Sequence, residues 1–147
     1  MSKLFFFVIV VLIILQSCQQ EKKNGKLLDE IPFEFTNDKI ILKVKINDKG
    51  PFDFIFDSGG TFDLLDSSVA VSIGIKTSAS RNYLHTATGF QKVGCGFTNA
   101  EFGISRKVKY TAEACQIINF QNKKMKFAGI LGHNLFKNNI IEVDMSK

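Results

Sequence analysis

The feature that most constrains this chain is an acid placed at the end of an apolar run. Phe54–Phe56 leads directly into Asp57, and the small residues Ser58–Gly60 follow. A carboxylate at the end of a buried strand is costly unless it is paired or takes part in chemistry. The glycines leave room for a second backbone to approach closely. These residues alone leave two interpretations open, a functional acid or an Asp that caps a turn.

A second stretch further along the chain places apolar residues between glycines. It covers Gly129–Asn134, and its Gly132 comes 75 residues after Asp57. Together the two stretches resemble the retropepsin-like aspartic proteases. In that family an apolar-apolar-Asp-Ser/Thr-Gly pattern carries the catalytic acid, and a later apolar-apolar-Gly pattern supports it. The resemblance extends from about Leu42 to Asp144.

The resemblance implies a role for each matched residue. Asp57 would be the catalytic acid, the Ser58 hydroxyls would bond across a two-fold axis, and Gly59 would let the two backbones approach. The residues implied to support the site are Ile130, Leu131 and Gly132. A hairpin tip implied to fold over the substrate as a flap comprises Thr86, Ala87, Thr88 and Gly89.

The chain also departs from the family pattern at several positions. Gly60 stands where the family often has Ala, and Thr61 and Phe62 stand where viral members place further acids. His133 occupies the position of an Arg in those members. Because the missing acid–Arg pair braces the viral dimer, a dimer of this chain would need other contacts.

One copy of the motif supplies one carboxylate, whereas hydrolysis of this type needs two facing each other across a water. The resemblance therefore implies an aspartic-type endopeptidase that acts on peptides as a two-fold homodimer. Segments Ile31–Phe35 and Ile140–Asp144 are expected to form a sheet between the two subunits. The alternative is a monomeric, non-catalytic peptide-binding or adaptor lipoprotein. A Ser or Cys hydrolase is disfavoured, because the sequence has no Gly-x-Ser-x-Gly turn.

The pattern of short strands and turns predicts the fold class. Fifteen Phe and no Trp occur among frequent Val and Ile, and Leu42, Val44 and Ile46 alternate with lysines as in a half-buried strand. Turn signals recur at roughly ten-residue spacing, including one at Asn99. We expect an all-β, retropepsin-like closed β-barrel. It would contain one short helix, from Asp66 or Ser67 to about Ile73, and a short helical turn near the C-terminus.

The amino-terminal segment is typical of a targeting signal. Leu4–Leu15 is an unbroken apolar run, too short to span a bilayer comfortably. Leu15–Cys18 resembles a bacterial lipobox, which implies cleavage before Cys18 and lipidation of its sulfur. We therefore expect a signal peptide over 1–17, a polar tether over 18–30 and the protease domain over 31–147. The expected location is the cell envelope, anchored by lipid to a bacterial membrane.

Charge and cysteine content bear on the remaining function classes. The net charge is +5, but the lysines are scattered and Arg is scarce, which argues against nucleic-acid binding. Only two histidines occur, without Cys/His spacing of a metal site, so we expect neither a metal nor a cofactor. Cys95 and Cys115 could form a disulfide in an exported protein or remain buried thiols, and the sequence leaves both possibilities open.

Overall fold

The computed structural model describes residues 26–76, 78–86, 89–120 and 127–146, with side chains throughout except at 78–86, 89–95 and 97. Within these ranges it contains eight strands, one short α-helix and one 3-10 helix. In chain order these are β1 (Glu34–Thr36), β2 (Lys39–Ile46), β3 (Lys49–Phe56), β4 (Leu64–Asp66), α1 (Ser67–Ser72), β5 (Ser78–Thr86), β6 (Gly89–Gly103), β7 (Lys109–Ile118), β8 (Gly129–Leu131) and the 3-10 helix (His133–Leu135).

The strands form one sheet that closes on itself. Their order is β1-β2-β3-β8-β4-β7-β6-β5, and an additional pairing of β2 with β6 joins the two sides of the sheet. This pairing sets Lys45 opposite Gly103 and Ile46 opposite Phe102. The ring β2-β3-β8-β4-β7-β6 is therefore a six-stranded barrel. It confirms the predicted all-β closed barrel with one short helix and a short helical turn.

The alternation predicted for β2 is confirmed. Leu42, Val44 and Ile46 are buried, while Lys43 and Lys45 are exposed. The inward side chains join a core in which Phe54 and Phe102 pack edge to face, with ring centroids 5.7 Å apart. Burial of this alternating face is what fixes the register of the first hairpin.

The side chain of Asp66 caps the N-terminus of helix α1. Its Oδ1 accepts hydrogen bonds from the Ser68 and Val69 amides, and its Oδ2 accepts one from the Phe120 amide at 3.1 Å. Burial acts to raise the pKa of Asp66, but a hydrogen bond from the Ser68 hydroxyl and these amide hydrogen bonds outweigh it, so the pKa lies below its ordinary value. Asp66 thus caps the helix and ties it to the end of β7.

The two predicted terminal strands differ from the prediction within the single chain. The strand expected over Ile31–Phe35 is the shorter β1, Glu34–Thr36. Residues 140–144 are not in a strand within the single described chain, so the strand expected there between two subunits stays a prediction. Among the described residues, no helix is long and apolar enough to cross a membrane.

The turn predicted at Asn99 is also wrong, since β6 runs through this position with a change of register. The Asn99 side-chain oxygen accepts a hydrogen bond from the Ala114 amide at 3.1 Å, and Ala114 has φ 59°. Asn99 therefore marks a β-bulge. Opposite Thr98, Cys115 is a buried free thiol, so the structure does not contain the possible disulfide with Cys95.

Candidate active site

The position of Asp57 follows from the parallel pairing of β3 with β8. Phe54, Ile55 and Phe56 lie opposite Gly129, Ile130 and Leu131 in register. Because parallel strands run in the same direction, the residues that follow them leave the sheet at the same edge. The two stretches singled out in the sequence are thereby brought together, with Asp57 next to Gly132.

Asp57–Gly60, called the Asp57 loop below, is folded by its own hydrogen bonds. The Gly59 amide donates to Asp57 Oδ1 at 2.9 Å, and the Gly60 amide donates to the Asp57 carbonyl at 3.1 Å. The Asp57, Ser58 and Gly59 residues are exposed. The loop therefore presents a carboxylate to solvent in an orientation set by the backbone.

Residues Gly132–Asn134, called the β8 turn below, directly follow β8. The β8 turn and Leu131 together hold both ends of the Asp57 loop. The Asp57 amide donates to the Leu131 carbonyl at 3.0 Å, and the His133 amide donates to the Gly60 carbonyl at 2.7 Å. Rings of Phe56 and Phe136 pack with centroids 5.2 Å apart just beside this contact. The catalytic candidate thus lies on a rigid support rather than on a free loop.

The close approach of these two segments requires glycine at Gly132. A Cβ built there would lie 2.4 Å from the Phe62 carbonyl oxygen and 2.7 Å from the Gly60 carbonyl oxygen. Real side chains are not found at such distances from a fixed backbone. The predicted supporting residues differ in burial. Leu131 lies in the main core, whereas Ile130 packs on the smaller cluster of Leu64 and Ile118.

A second acid, Asp63, lies beneath the loop and was not assigned a role from the sequence. Its side chain has no exposed surface. Asp63 Oδ1 accepts from the Gly132 amide at 2.8 Å, and Oδ2 accepts from Asn134 Nδ2 at 3.0 Å. The signal available in the sequence was a lone acid directly before the apolar pair Leu64-Leu65. An acid at such a position is costly to bury unless its oxygens have hydrogen-bond donors.

The Asp63 carboxylate also influences two neutral groups nearby. Burial, and after it the charge of Asp63, raises the pKa of the Cys115 thiol to about 12. Burial, then the charge of Asp63 and a hydrogen-bonding interaction with its carboxylate, raise the pKa of the Tyr110 hydroxyl. Among the described residues this buried hydroxyl finds no hydrogen-bond partner of ordinary geometry. Both groups therefore stay protonated at neutral pH.

The predicted flap falls on the hairpin of β5 and β6. Thr86 ends β5 and lies opposite Gly89, the first residue of β6. Ala87 and Thr88 lie outside the described residues, as does Cys18. A role of the hairpin in substrate binding remains a prediction. Within the described ranges, no three His, Cys, Asp or Glu side chains come together as a metal site would require.

Chemically, the loop offers one oriented and solvated carboxylate per chain. A carboxylate of this kind can act as a general base on water, but it cannot also donate a proton to the substrate while ionised. Peptide hydrolysis would need a second acid opposite the first. Asp63 does not fill that role, since its two oxygens are buried on the β8 turn.

Two solved structures show the same fold. The EIAV protease complexed with the inhibitor HBY-793 is 14% identical with a TM-score of 0.50, covering 80% of this chain and 99% of that one. A retropepsin-like aspartic protease from Rickettsia conorii is 15% identical with a TM-score of 0.56, covering 79% and 94%.

None of the curated proteins compared with the chain shows significant similarity to it. The model of a protein family described as aspartyl protease matches residues 42–135, which is more than half of the chain. The match includes the Asp57 loop, the hairpin and the β8 turn. The chain therefore belongs to the aspartyl protease family, and its fold is retropepsin-like.

Proposed function

We propose that the protein is an aspartic-type endopeptidase that hydrolyses peptide bonds as a homodimer. The observation that carries the proposal is the exposed Asp57 carboxylate on a loop fixed at both ends, in a chain of the aspartyl protease family. Each chain contributes one such carboxylate, so a complete site takes two chains related by a two-fold axis.

In the proposed site, the two Asp57 carboxylates face each other and share one proton. Two carboxyl groups that face each other at such short range cannot both be ionised, and aspartic proteases are the standard example of this coupling. The ionised member takes a proton from a water that attacks the scissile carbonyl carbon. The protonated member donates to the carbonyl oxygen, which gives a tetrahedral diol. In its collapse, the carboxyl that received the water proton protonates the nitrogen as the C–N bond breaks, and the other carboxylate takes a hydroxyl proton from the diol. Ser58 is proposed to bond across the dyad.

The distribution of exposed apolar residues supports dimerisation through the chain termini. Large exposed hydrophobic side chains concentrate in two terminal segments, at Leu27, Leu28 and Phe35 and at Ile140, Val143 and Met145. In the first segment, β1 forms an edge of the sheet. An edge strand and an exposed apolar segment that lies outside the sheet are surfaces that a second copy can cover by strand pairing.

A lipid anchor at Cys18 is proposed to keep both copies at one membrane surface. Confinement raises the effective concentration of the two chains without any new contact. This matters here because the positions of the acid–Arg pair that braces viral dimers hold Thr61, Phe62 and His133. The anchored location in the cell envelope belongs to the same proposal.

The proposal predicts that peptide cleavage depends on protein concentration. Over a dilution series of the soluble domain without its leader, cleavage per chain should rise with concentration and level off where sedimentation shows a mass of two chains. Both curves should share one midpoint, since a monomer carries half a site. Constant cleavage per chain in a range where only monomer sediments would contradict the dimer. A dimer without cleavage would favour the adaptor alternative.

A further inference from the structure

Asp63 is a buried acid that the proposed mechanism does not use. It has no exposed surface, and none of the ion pairs formed by the described residues includes it. Burying a carboxylate without a cation is unfavourable unless several hydrogen bonds replace the lost water. Its presence directly before β4 therefore calls for a physical reason.

The hydrogen bonds to Asp63 identify what this side chain connects. Oδ1 accepts from the Gly132 amide and Oδ2 from Asn134 Nδ2, at 2.8 and 3.0 Å. The Asp63 carbonyl accepts from the Gln116 amide of β7 at 3.0 Å. The residue thus joins the barrel wall to both ends of the β8 turn, and bonds of this charge-assisted kind are about twice as strong as neutral ones.

The position of Gly132 links this connection to the Asp57 loop. Gly132 lies between Leu131 and His133, the two residues whose backbone groups hold the Asp57 loop. We propose that Asp63 is a positioning residue, which fixes the orientation of Asp57 by holding the β8 turn through its two acceptor oxygens. The inference rests on the proposed function only for its catalytic consequence, because the support of the loop is a property of the folded chain.

Substitution by Asn or Leu separates the acceptor role of Asp63 from its charge. An Asn at position 63 keeps an oxygen for the Gly132 amide, and Asn134 can rotate its own amide to accept the remaining bond. A Leu has the same branching, although it is larger, and it removes both acceptors and leaves the Gly132 amide without a partner. If the acceptors matter, Asn should preserve function that Leu loses.

The first measurement is amide hydrogen exchange in D63L, D63N and the native protein. Exchange at the Asp57, Gly132 and His133 amides should be about tenfold or more faster in D63L, since an unsatisfied buried group destabilises the turn. D63N should stay close to native. The matched control is Ile104→Ala, which weakens the main core but alters none of these hydrogen bonds. In this variant, exchange at the Asp57, Gly132 and His133 amides should not be selectively accelerated.

The second measurement is the kinetics of peptide cleavage by the same proteins. D63L should lower kcat at least about tenfold with little change in KM, because a misplaced carboxylate affects the chemical step more than binding. D63N should retain most of the native kcat. Should D63L fail to fold, Asn134→Ala removes one donor, keeps the Gly132 bond and should give the same pattern with smaller changes.

The outcomes separate this inference from the proposed function. Unchanged exchange at the three amides in folded D63L or Asn134→Ala would overturn the inference, as would unchanged kcat in a variant whose exchange has accelerated. A D63N protein as impaired as D63L would overturn the role of the acceptor oxygens. If the native protein cleaves no peptide at all, the proposed function fails, and the exchange comparison still decides whether Asp63 fixes the loop.

Discussion

Replacing Asp57 by Asn is expected to abolish peptide cleavage while leaving the barrel folded. The neutral amide cannot take a proton from water, and in a two-fold dimer the substitution removes both members of the pair at once. We expect kcat/KM to fall by about a thousandfold or more, in line with the loss of a general acid–base pair. The fold should persist because Asn can still accept from the Gly59 amide. Cleavage of an unstructured protein, followed by mass spectrometry, measures the effect.

Asp38→Asn is the matched control for this experiment. Asp38 is also exposed and follows a strand, but it lies in the turn between β1 and β2. Its φ of 57° is one that Asn adopts readily. This variant should cleave at the native rate. Native-like cleavage by the Asp57 variant would remove that residue from the mechanism.

Replacing Gly129 by Ala is expected to cause the largest loss of stability. A Cβ there would lie 2.1 Å from the Leu64 carbonyl oxygen and 2.3 Å from Phe54 Cε1. Since β8 is paired to β3 on one side and β4 on the other, its backbone cannot move away. Overpacking of this severity should cost about 3 kcal/mol or more of the free energy of unfolding, measured by denaturant titration.

Gly103→Ala supplies the comparison for this stability measurement. At Gly103 the nearest atoms to a built Cβ belong to the flexible Lys109 side chain, at 3.7 Å or more. The free energy of unfolding should therefore change by only about 1 kcal/mol in either direction. Equal effects at the two glycines would show that the tight contact at Gly129 is not maintained in solution.

Local patterns in the sequence were sufficient to predict most of the barrel. The alternation of Leu42, Val44 and Ile46 with lysines gave the buried face of β2 correctly. The helix predicted from Asp66 or Ser67 to about Ile73 agrees with the observed helix, Ser67–Ser72, within a residue or so. These predictions succeed because the residues involved interact with near neighbours in the chain.

Features that depend on distant contacts could not be predicted in this way. Asn is a residue type typical of turns. The side chain of Asn99, however, accepts a hydrogen bond from the Ala114 amide on the next strand, and β6 continues through this position. Asp63 is ordinary as a sequence position, and its meaning appears only when β4 and β8 pair and bring Gly132 to its carboxylate. The pairing that decides both cases is made by residues far apart in sequence.

Segment Ile140–Asp144 shows a further limit of prediction from the sequence. The strand predicted there would need hydrogen bonds from a second molecule. Ile140–Asp144 has the composition of a strand but pairs with no strand within the described chain. Its Ile140 side chain is 96% exposed. A segment of this kind can become a strand only where a neighbour supplies the hydrogen bonds, which the proposed dimer would provide.

In the proposed dimer each active site takes one Asp57 from each of two chains, and mixing native with Asp57→Asn protein distinguishes this arrangement from a site within one chain. Native protein at saturating substrate is combined with an equal amount of the Asp57→Asn protein, at concentrations where both are dimeric and after subunits have exchanged. Random pairing should lower the cleavage by the native protein to about half, because inactive mixed dimers form. Cleavage that stays at its original rate would show that a single chain holds a complete site, and would contradict a site shared between two chains.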